Sequence, residues 1–287
     1  MRSPRPYIEL LRPANVATSL ADVLAGYGIA GLGNHAALPW LLISTACLYA
    51  GGIVLNDVFD RDLDAVERPE RPIPSGRVTV RTAACLGVGL LTLGIAAAAL
   101  ANVTAGLMAV AVASAVLLYD SWGKRQGLFG PVNMGLCRGL NLLLGVTAVP
   151  ALLAGAWPLA LLPITYIAAV TALSRGEVHG GRREVAVFAL VSLSLVLIAL
   201  ALVSLGHMSW AGAAWTAVLG WRILPAFWAA YRSPAAGTIR HAIKTGVLSL
   251  ALLDAALGAA YAGALYSLVI FVTALVAGRL ARLFPVT

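Results

Sequence analysis

The chain is 287 residues long, 60% hydrophobic and only 11% charged, with a mean hydropathy of +0.89. Soluble domains carry about 25% charged residues, so an ordinary water-soluble protein is excluded. The formal net charge of +8 does not point to nucleic acid, because the basic residues lie between apolar runs and no basic patch is interleaved with aromatic residues.

The composition fits an all-α, polytopic membrane bundle. Glycine (29 residues) and alanine are plentiful whereas aromatic residues make up 7%, and small residues let membrane helices approach closely. The N-terminal Met1-Arg-Ser-Pro-Arg-Pro-Tyr7 is basic, but the run from Pro13 is long enough to span and no clear cleavage site follows. It therefore reads as a retained first helix rather than a signal peptide. Apolar runs bounded by charge, Pro or Gly place spans at about 14–33, 38–57, 80–101, 104–121, 131–154, 157–177, 184–205, 209–230, 243–261 and 264–282. With these ten spans, alternate connections hold no Lys or Arg, and all 20 basic residues fall on one side. The positive-inside rule then puts both termini and the acidic segment after the second span in the cytoplasm, with the protein in the cell membrane. A nine-span arrangement would strand Arg279 and Arg282 on the far side. Residues 1–287 read as a single integral membrane domain. Cys47, Cys85 and Cys137 are isolated, with no CxxC and no histidine spacing suited to zinc, which argues against both a disulfide and structural zinc.

After the second span, residues 55–76 hold six of the chain's twelve carboxylates. If they continue the preceding helix, Asn56, Asp57, Asp60 and Asp64 fall within an arc of roughly 100° at 100° per residue, and Asp62 points the other way. Three carboxylates and an amide on one face repel one another unless a cation intervenes. Hard oxygen donors suit Mg²⁺ held jointly with substrate phosphates, so the stretch is a candidate metal-diphosphate site. The competing reading is a solvated acidic helix end.

The loop after the fourth span, Tyr119-Asp-Ser-Trp-Gly-Lys-Arg-Gln-Gly127, offers Lys124 and Arg125 on the same side of the membrane. Both would serve a departing diphosphate, Lys as a point charge and Arg as a bidentate fork; alone, they would read as positive-inside anchors. The loop after the sixth span, Ser174-Arg-Gly-Glu-Val-His-Gly-Gly-Arg-Arg183, repeats the 57, 60, 64 spacing at 174, 177 and 181 but retains only Glu177 as a carboxylate. It looks like a depleted second site, with Arg175, Arg182 and Arg183 nearby. His179 is either a proton carrier or an incidental loop histidine. Within the spans, Asp22, Arg138, Arg222 and Asp254 are costly in hydrocarbon. Snorkelling accounts equally well for the two arginines, whereas the deeper aspartates are better read as making a structural interhelical hydrogen bond.

Asn56-Asp57-x-x-Asp60-x-x-x-Asp64, followed by Arg68-Pro-x-Arg71-Pro-Ile-Pro-Ser-Gly76, resembles the first signature of the UbiA superfamily of intramembrane prenyltransferases. Tyr119 with Lys124-Arg125 is similar to that family's next motif. The resemblance runs from Arg12-Pro-Ala-Asn15 to about residue 260, and the loop from Ser174 to Gly181 looks like the EboC-like branch. It implies a bundle of nine or so helices around a cavity open to lipid, with Mg²⁺ and a prenyl diphosphate held at two acidic motifs. The allylic cation formed there is captured by a lipophilic acceptor. It implies that Asn56, Asp57, Asp60, Asp64 and Glu177 are metal ligands, that Arg68, Lys124, Arg125 and Asn15 bind substrate, and that Tyr119 lines the prenyl channel or stabilises the cation. The family's usual aspartates are missing at Ser174 and Gly181. A close relative of this activity is a terpene-synthase-like reaction in which the cation is quenched within the same substrate, and the departure at the second motif adds a non-catalytic isoprenoid-binding or transport component as the alternative.

Overall fold

A computed structural model describes residues 4–177 and 180–283; His179 lies outside the described residues. Those residues form α1 (Arg5–Leu11), α2 (Pro13–Ile29), α3 (Leu38–Phe59), α4 (Arg61–Glu67), α5 (Val80–Ala101), α6 (Val103–Ser121), α7 (Phe129–Val146), the one-turn α8 (Leu153–Ala156), α9 (Leu161–Ser174), α10 (Arg183–Gly206), α11 (Trp210–Arg232), α12 (Ala236–Ala262) and α13 (Ala264–Leu283), with no strand among them. Each of the ten predicted spans falls on a helix. Among the described residues, α3, α5, α6, α10, α12 and the helical stretch Pro150–Ser174 are six that are long and apolar enough to cross a membrane.

The helices that fall short of that measure include the polar interior ones. α2 packs against α3, α7, α12 and α13 and is buried around nearly its whole circumference, so it tolerates Thr18, Ser19 and Asp22. The α2–α7 crossing is backbone to backbone: a Cβ at Gly26 would sit 2.0 Å from the Leu142 carbonyl oxygen, and one at Gly145 would sit 2.2 Å from that of Val23. No side chain fits at either position, and glycine alone permits the approach.

Two predicted boundaries move by about two turns. The span expected to run to residue 154 ends at Val146, because Pro150 has no N–H to continue a helix and the chain passes instead through the 3₁₀ turn Pro150–Leu152. The Thr147 carbonyl left over at this end accepts from Asn102 Nδ2 at 2.9 Å. The span expected from residue 243 begins at Ala236, so Arg240 rides on the first turns of α12 rather than in a loop.

At the opposite end of the bundle α3 runs into α4 with only a joint at Asp60. The amides of Asp60, Asp64 and Arg68 donate to the carbonyls of Asn56, Asp60 and Asp64 at 2.9, 2.8 and 2.8 Å. The helical spacing of the acidic residues therefore survives the joint. The segment that follows is stiffened by Pro69, Pro72 and Pro74 and turns at Gly76, where φ is +72°. It is anchored by Ile73 and Val78, which are buried with Leu10, Val54 and Ala83, and by an Arg77–Glu9 ion pair at 2.6 Å.

Candidate active site

The carboxylate face predicted from the sequence is present, and each acid on it meets a cation of the chain. Asp57 Oδ1 accepts from Arg12 Nη2 at 2.5 Å and lies 3.4 Å from Arg71 Nη1. Arg71 Nη1 reaches both oxygens of Asp64, at 3.0 and 2.7 Å. Lys124 Nζ stands 2.7 Å from Asp60 Oδ1. The Asp57 and Asp64 side chains are 4% and 6% exposed, against 86% for Asp62 on the opposite arc. A solvated helix end would leave all of these acids in water, so that reading fails.

Local structure aims the cations. Arg12 joins α1 to α2 in the left-handed region, at φ 42° and ψ 68°, with Pro13 starting the next helix. Its guanidinium is thereby turned inward, and burial presses it below its ordinary pKa while Asp57 opposes the shift. Arg71 is delivered by the proline-stiffened segment. Lys124 sits on the 3₁₀ turn Gly123–Arg125, which Arg175 ties down by donating to the Gln126 carbonyl.

Below this mouth lies a cavity of about 210 Å³, lined at its charged end by Arg12, Asn15, Asn56, Tyr119 and Asp120. Its walls are Leu48, Ile53, Val112, Val116 and Met134, and its far end is formed by Thr45, Tyr49 and Asn141. Thr45 is three turns below Asn56 on α3, roughly 16 Å at 1.5 Å per residue. Asn56 Nδ2 donates to Asp120 Oδ1 at 2.8 Å, and the other oxygen of this buried acid has no hydrogen-bond partner among the described residues.

The far end rests on a polar network. Arg138 Nη1 donates to Asp22 Oδ2 at 2.9 Å, and its Nη2 donates to Thr18 Oγ1 and to the Tyr49 hydroxyl, both at 2.8 Å. Asn141 Nδ2 donates to Asp22 Oδ2 at 2.8 Å and Thr45 Oγ1 to Asn141 Oδ1 at 2.7 Å. Arg138 is 2% exposed, so it is an interior ion-pair partner and does not snorkel. Asp22 is held between helices as expected.

Other expected residues stand further out. Arg125 is exposed and makes no ion pair among the described residues, and Arg68 is half-buried in the electrostatic surroundings of Arg12. Glu177 is half-buried in the turn after α9, outside the cavity lining and without a described ion pair. Of its neighbours, Arg175 goes to the Lys124 loop and Arg182 pairs with Glu184 at 3.3 Å. Sequence reasoning missed Arg12, Arg71 and Asp120 as members of the site. The only signal for Asp120 was its place beside Tyr119.

The structure is thus a multi-pass membrane bundle whose interior cavity has apolar side walls, a charged end and a polar far end, a shape suited to an amphiphile with an anionic head. Residues 19–243 match the UbiA prenyltransferase family, and the protein belongs to it. A digeranylgeranylglyceryl phosphate synthase of Sulfurisphaera tokodaii is 34% identical over 181 residues, 62% of this chain and 64% of that protein. The Methanopyrus kandleri enzyme of the same name is 38% identical over 143 residues, 49% of this chain and 52% of that protein. The chain therefore matches between about half and two thirds of the length of these relatives. Among solved structures, the fold is similar to a UbiA homolog of Aeropyrum pernix K1, with TM-score 0.71 and 17% identity over 83% of this chain and 96% of that one. It is also similar to an Archaeoglobus fulgidus homolog bound to GPP and Mg²⁺, with TM-score 0.56 and 16% identity over 95% of this chain and 99% of that one.

Proposed function

We propose that this protein is an Mg²⁺-dependent intramembrane prenyltransferase that ionises an isoprenyl diphosphate and transfers the prenyl group to a lipophilic acceptor. The observation that carries this reading is the placement of Asp57, Asp60 and Asp64, each matched by a cation, beside the charged end of a cavity that Arg12 and Asn56 line together with hydrocarbon walls. A diphosphate head and a prenyl tail complement that cavity in one orientation only. The ligands of the Archaeoglobus homolog are of this kind.

The acids fit a magnesium ion. No three acidic, histidine or cysteine side chains cage a single point among the described residues. Asp57 and Asp64 nevertheless share one guanidinium, and Mg²⁺ typically takes one or two carboxylates and fills its shell with phosphate and water. Asn56, Asp57, Asp60 and Asp64 would hold it, and Glu177 would contribute from the second loop. Bound there, the ion supplies positive charge against the diphosphate oxygens. Arg12, Arg71 and Lys124, freed from the acids, then grip the diphosphate, with Arg68 and Arg125 at the rim. Asn15 borders the head group and Tyr119 the first carbons of the tail, where an aromatic ring attracts developing positive charge. The C–O bond breaks with its electron pair leaving on diphosphate, and the acceptor bonds to the allylic carbon and releases a proton. The apolar walls keep water from intercepting the cation.

Purified protein given geranyl, farnesyl or geranylgeranyl diphosphate with Mg²⁺ and a membrane lipid extract should release pyrophosphate. Glu177→Gln should lower turnover about tenfold with binding nearly unchanged, because the lost interaction belongs to the transition state. Mg²⁺-dependent binding without release above an Asp60→Ala background, with every substrate, defeats the transferase and leaves an isoprenoid carrier. The missing carboxylates at Ser174 and Gly181 favour that alternative. Release that needs no acceptor would indicate a terpene-synthase-like reaction.

The mouth is proposed to face the cytoplasm, on the strength of the one-sided Lys and Arg distribution. A cysteine placed at the exposed Ala65 should resist an impermeant thiol reagent in intact cells. Modification there would reverse the orientation.

A further inference from the structure

A second cavity, of about 550 Å³, opens between α11, α12 and α13 and is lined by Arg222, Lys244, Arg279 and Arg282. It has no lining residue in common with the first cavity. α2 packs directly against α12 and α13, and it carries Arg12 and Asn15 of the first cavity's lining on its own side. By helix alternation the second cavity lies at the same end of the bundle as Asp57. Its volume is within the ~300–1,000 Å³ of ordinary ligand sites.

Its chemistry is one-sided. None of the four cations has a carboxylate within ion-pair distance among the described residues. Arg222 is ten residues before the end of α11, roughly 15 Å down the helix axis. A guanidinium at such a depth normally faces a partner. Its Nε donates to the fully buried Ser249 Oγ at 2.9 Å, and its Nη groups make no hydrogen bond among the described residues. The serine contact orients the guanidinium and leaves its bidentate edge free. The remaining walls are hydrocarbon, chiefly Leu248, Leu252, Phe271 and Leu275.

All four side chains are exposed at the surface of this cavity, and clustered like charges there attract an anion. A soluble anion would satisfy the charges and leave the apolar walls uncovered. A lipid bearing a phosphate satisfies both, with its head against the cations and its chain along α12 and α13. Basic pockets between membrane helices commonly take such head groups, and Arg suits phosphate through paired N–H donors. We infer that this cavity is a binding site for an anionic membrane lipid with an exposed phosphate head, separate from the prenyl cavity.

The test uses the full-length protein in nanodiscs of phosphatidylcholine doped with phosphatidic acid, with bound lipid counted by native mass spectrometry. Lys244→Gln/Arg279→Gln should weaken retention of phosphatidic acid at least tenfold, about 1.4 kcal/mol. Arg81→Gln/Arg183→Gln, which removes the same charge from exposed positions elsewhere, should leave it within twofold. Thermal melting of both variants guards against misfolding. If a melt shows Lys244→Gln/Arg279→Gln unfolded, the exposed Arg282→Gln alone is used and should weaken retention at least threefold. Equal losses in the two double variants would reduce the effect to general surface attraction and overturn the site. Displacement of phosphatidic acid by millimolar inorganic phosphate would replace the lipid with a soluble anion and overturn the assignment.

Discussion

Arg138→Leu is expected to be among the most destabilising single substitutions in the chain, with a loss of about 3–5 kcal/mol. Its guanidinium is the cation facing Asp22, at 2.9 Å, in an interior where both side chains are almost fully excluded from solvent. Asp254, also fully buried, lies beside the same Asp22–Arg138 pair. Removing the arginine leaves Asp22 in this interior without its counter-charge. Breaking a buried pair by deleting one member costs far more than the pair itself contributes, whereas replacing both members with apolar residues is often nearly neutral. The Arg138→Leu/Asp22→Leu double variant should therefore recover most of the lost stability. Melting temperatures in detergent, read by size-exclusion fluorescence, compare the three proteins. A single variant that melts with the parent, or a double variant no better than the single, would show that the network does not hold α2 to α7.

The same network shows where sequence reading stops. Asp22 and Arg138 each stand out as charges inside apolar runs, but they are separated by 116 residues and nothing in local periodicity pairs them. By contrast, the acidic face at Asn56–Asp64 was fully legible, because i, i+3 and i+7 share a side of any helix and the helix carries on through the joint at Asp60. Arg71 and Arg12 stand in the family motifs but received no role at the site for the first reason: they reach Asp57 across 14 and 45 residues, through a proline-stiffened segment and a helix junction. Lys124 and Arg125 looked equivalent as neighbouring basic residues. On a helical turn adjacent side chains diverge, so only Lys124 meets Asp60. The fold class followed from composition alone, while the break at Thr147 depended on a single proline inside an otherwise continuous apolar run.

Asp57→Ala is the substitution expected to damage the proposed reaction most. Asp57 is where Arg12 and Arg71 converge, and it shares Arg71 with Asp64, so its loss removes an oxygen donor for the cation, frees the Arg12 guanidinium and leaves Arg71 to Asp64 alone. Arg12, already pressed below its ordinary pKa by burial, loses the charge that opposes that shift. Diphosphate affinity in Mg²⁺ should fall at least tenfold, about 1.4 kcal/mol, since losses even one shell away from a metal reach that size. Turnover should fall further, by roughly 10²–10³, the usual consequence of deleting one preorganised group at a site of developing charge. Asp62→Ala removes the same charge from the same helical segment but from its exposed side and should be nearly silent in both measurements. Isothermal titration with a non-hydrolysable prenyl diphosphate analogue, paired with pyrophosphate release, separates binding from chemistry. If Asp57→Ala and Asp62→Ala lost affinity and rate equally, total negative charge near the membrane surface would be the operative quantity. The ordered pairing of Asp57 with Arg12 and Arg71 would then have no part in substrate recognition.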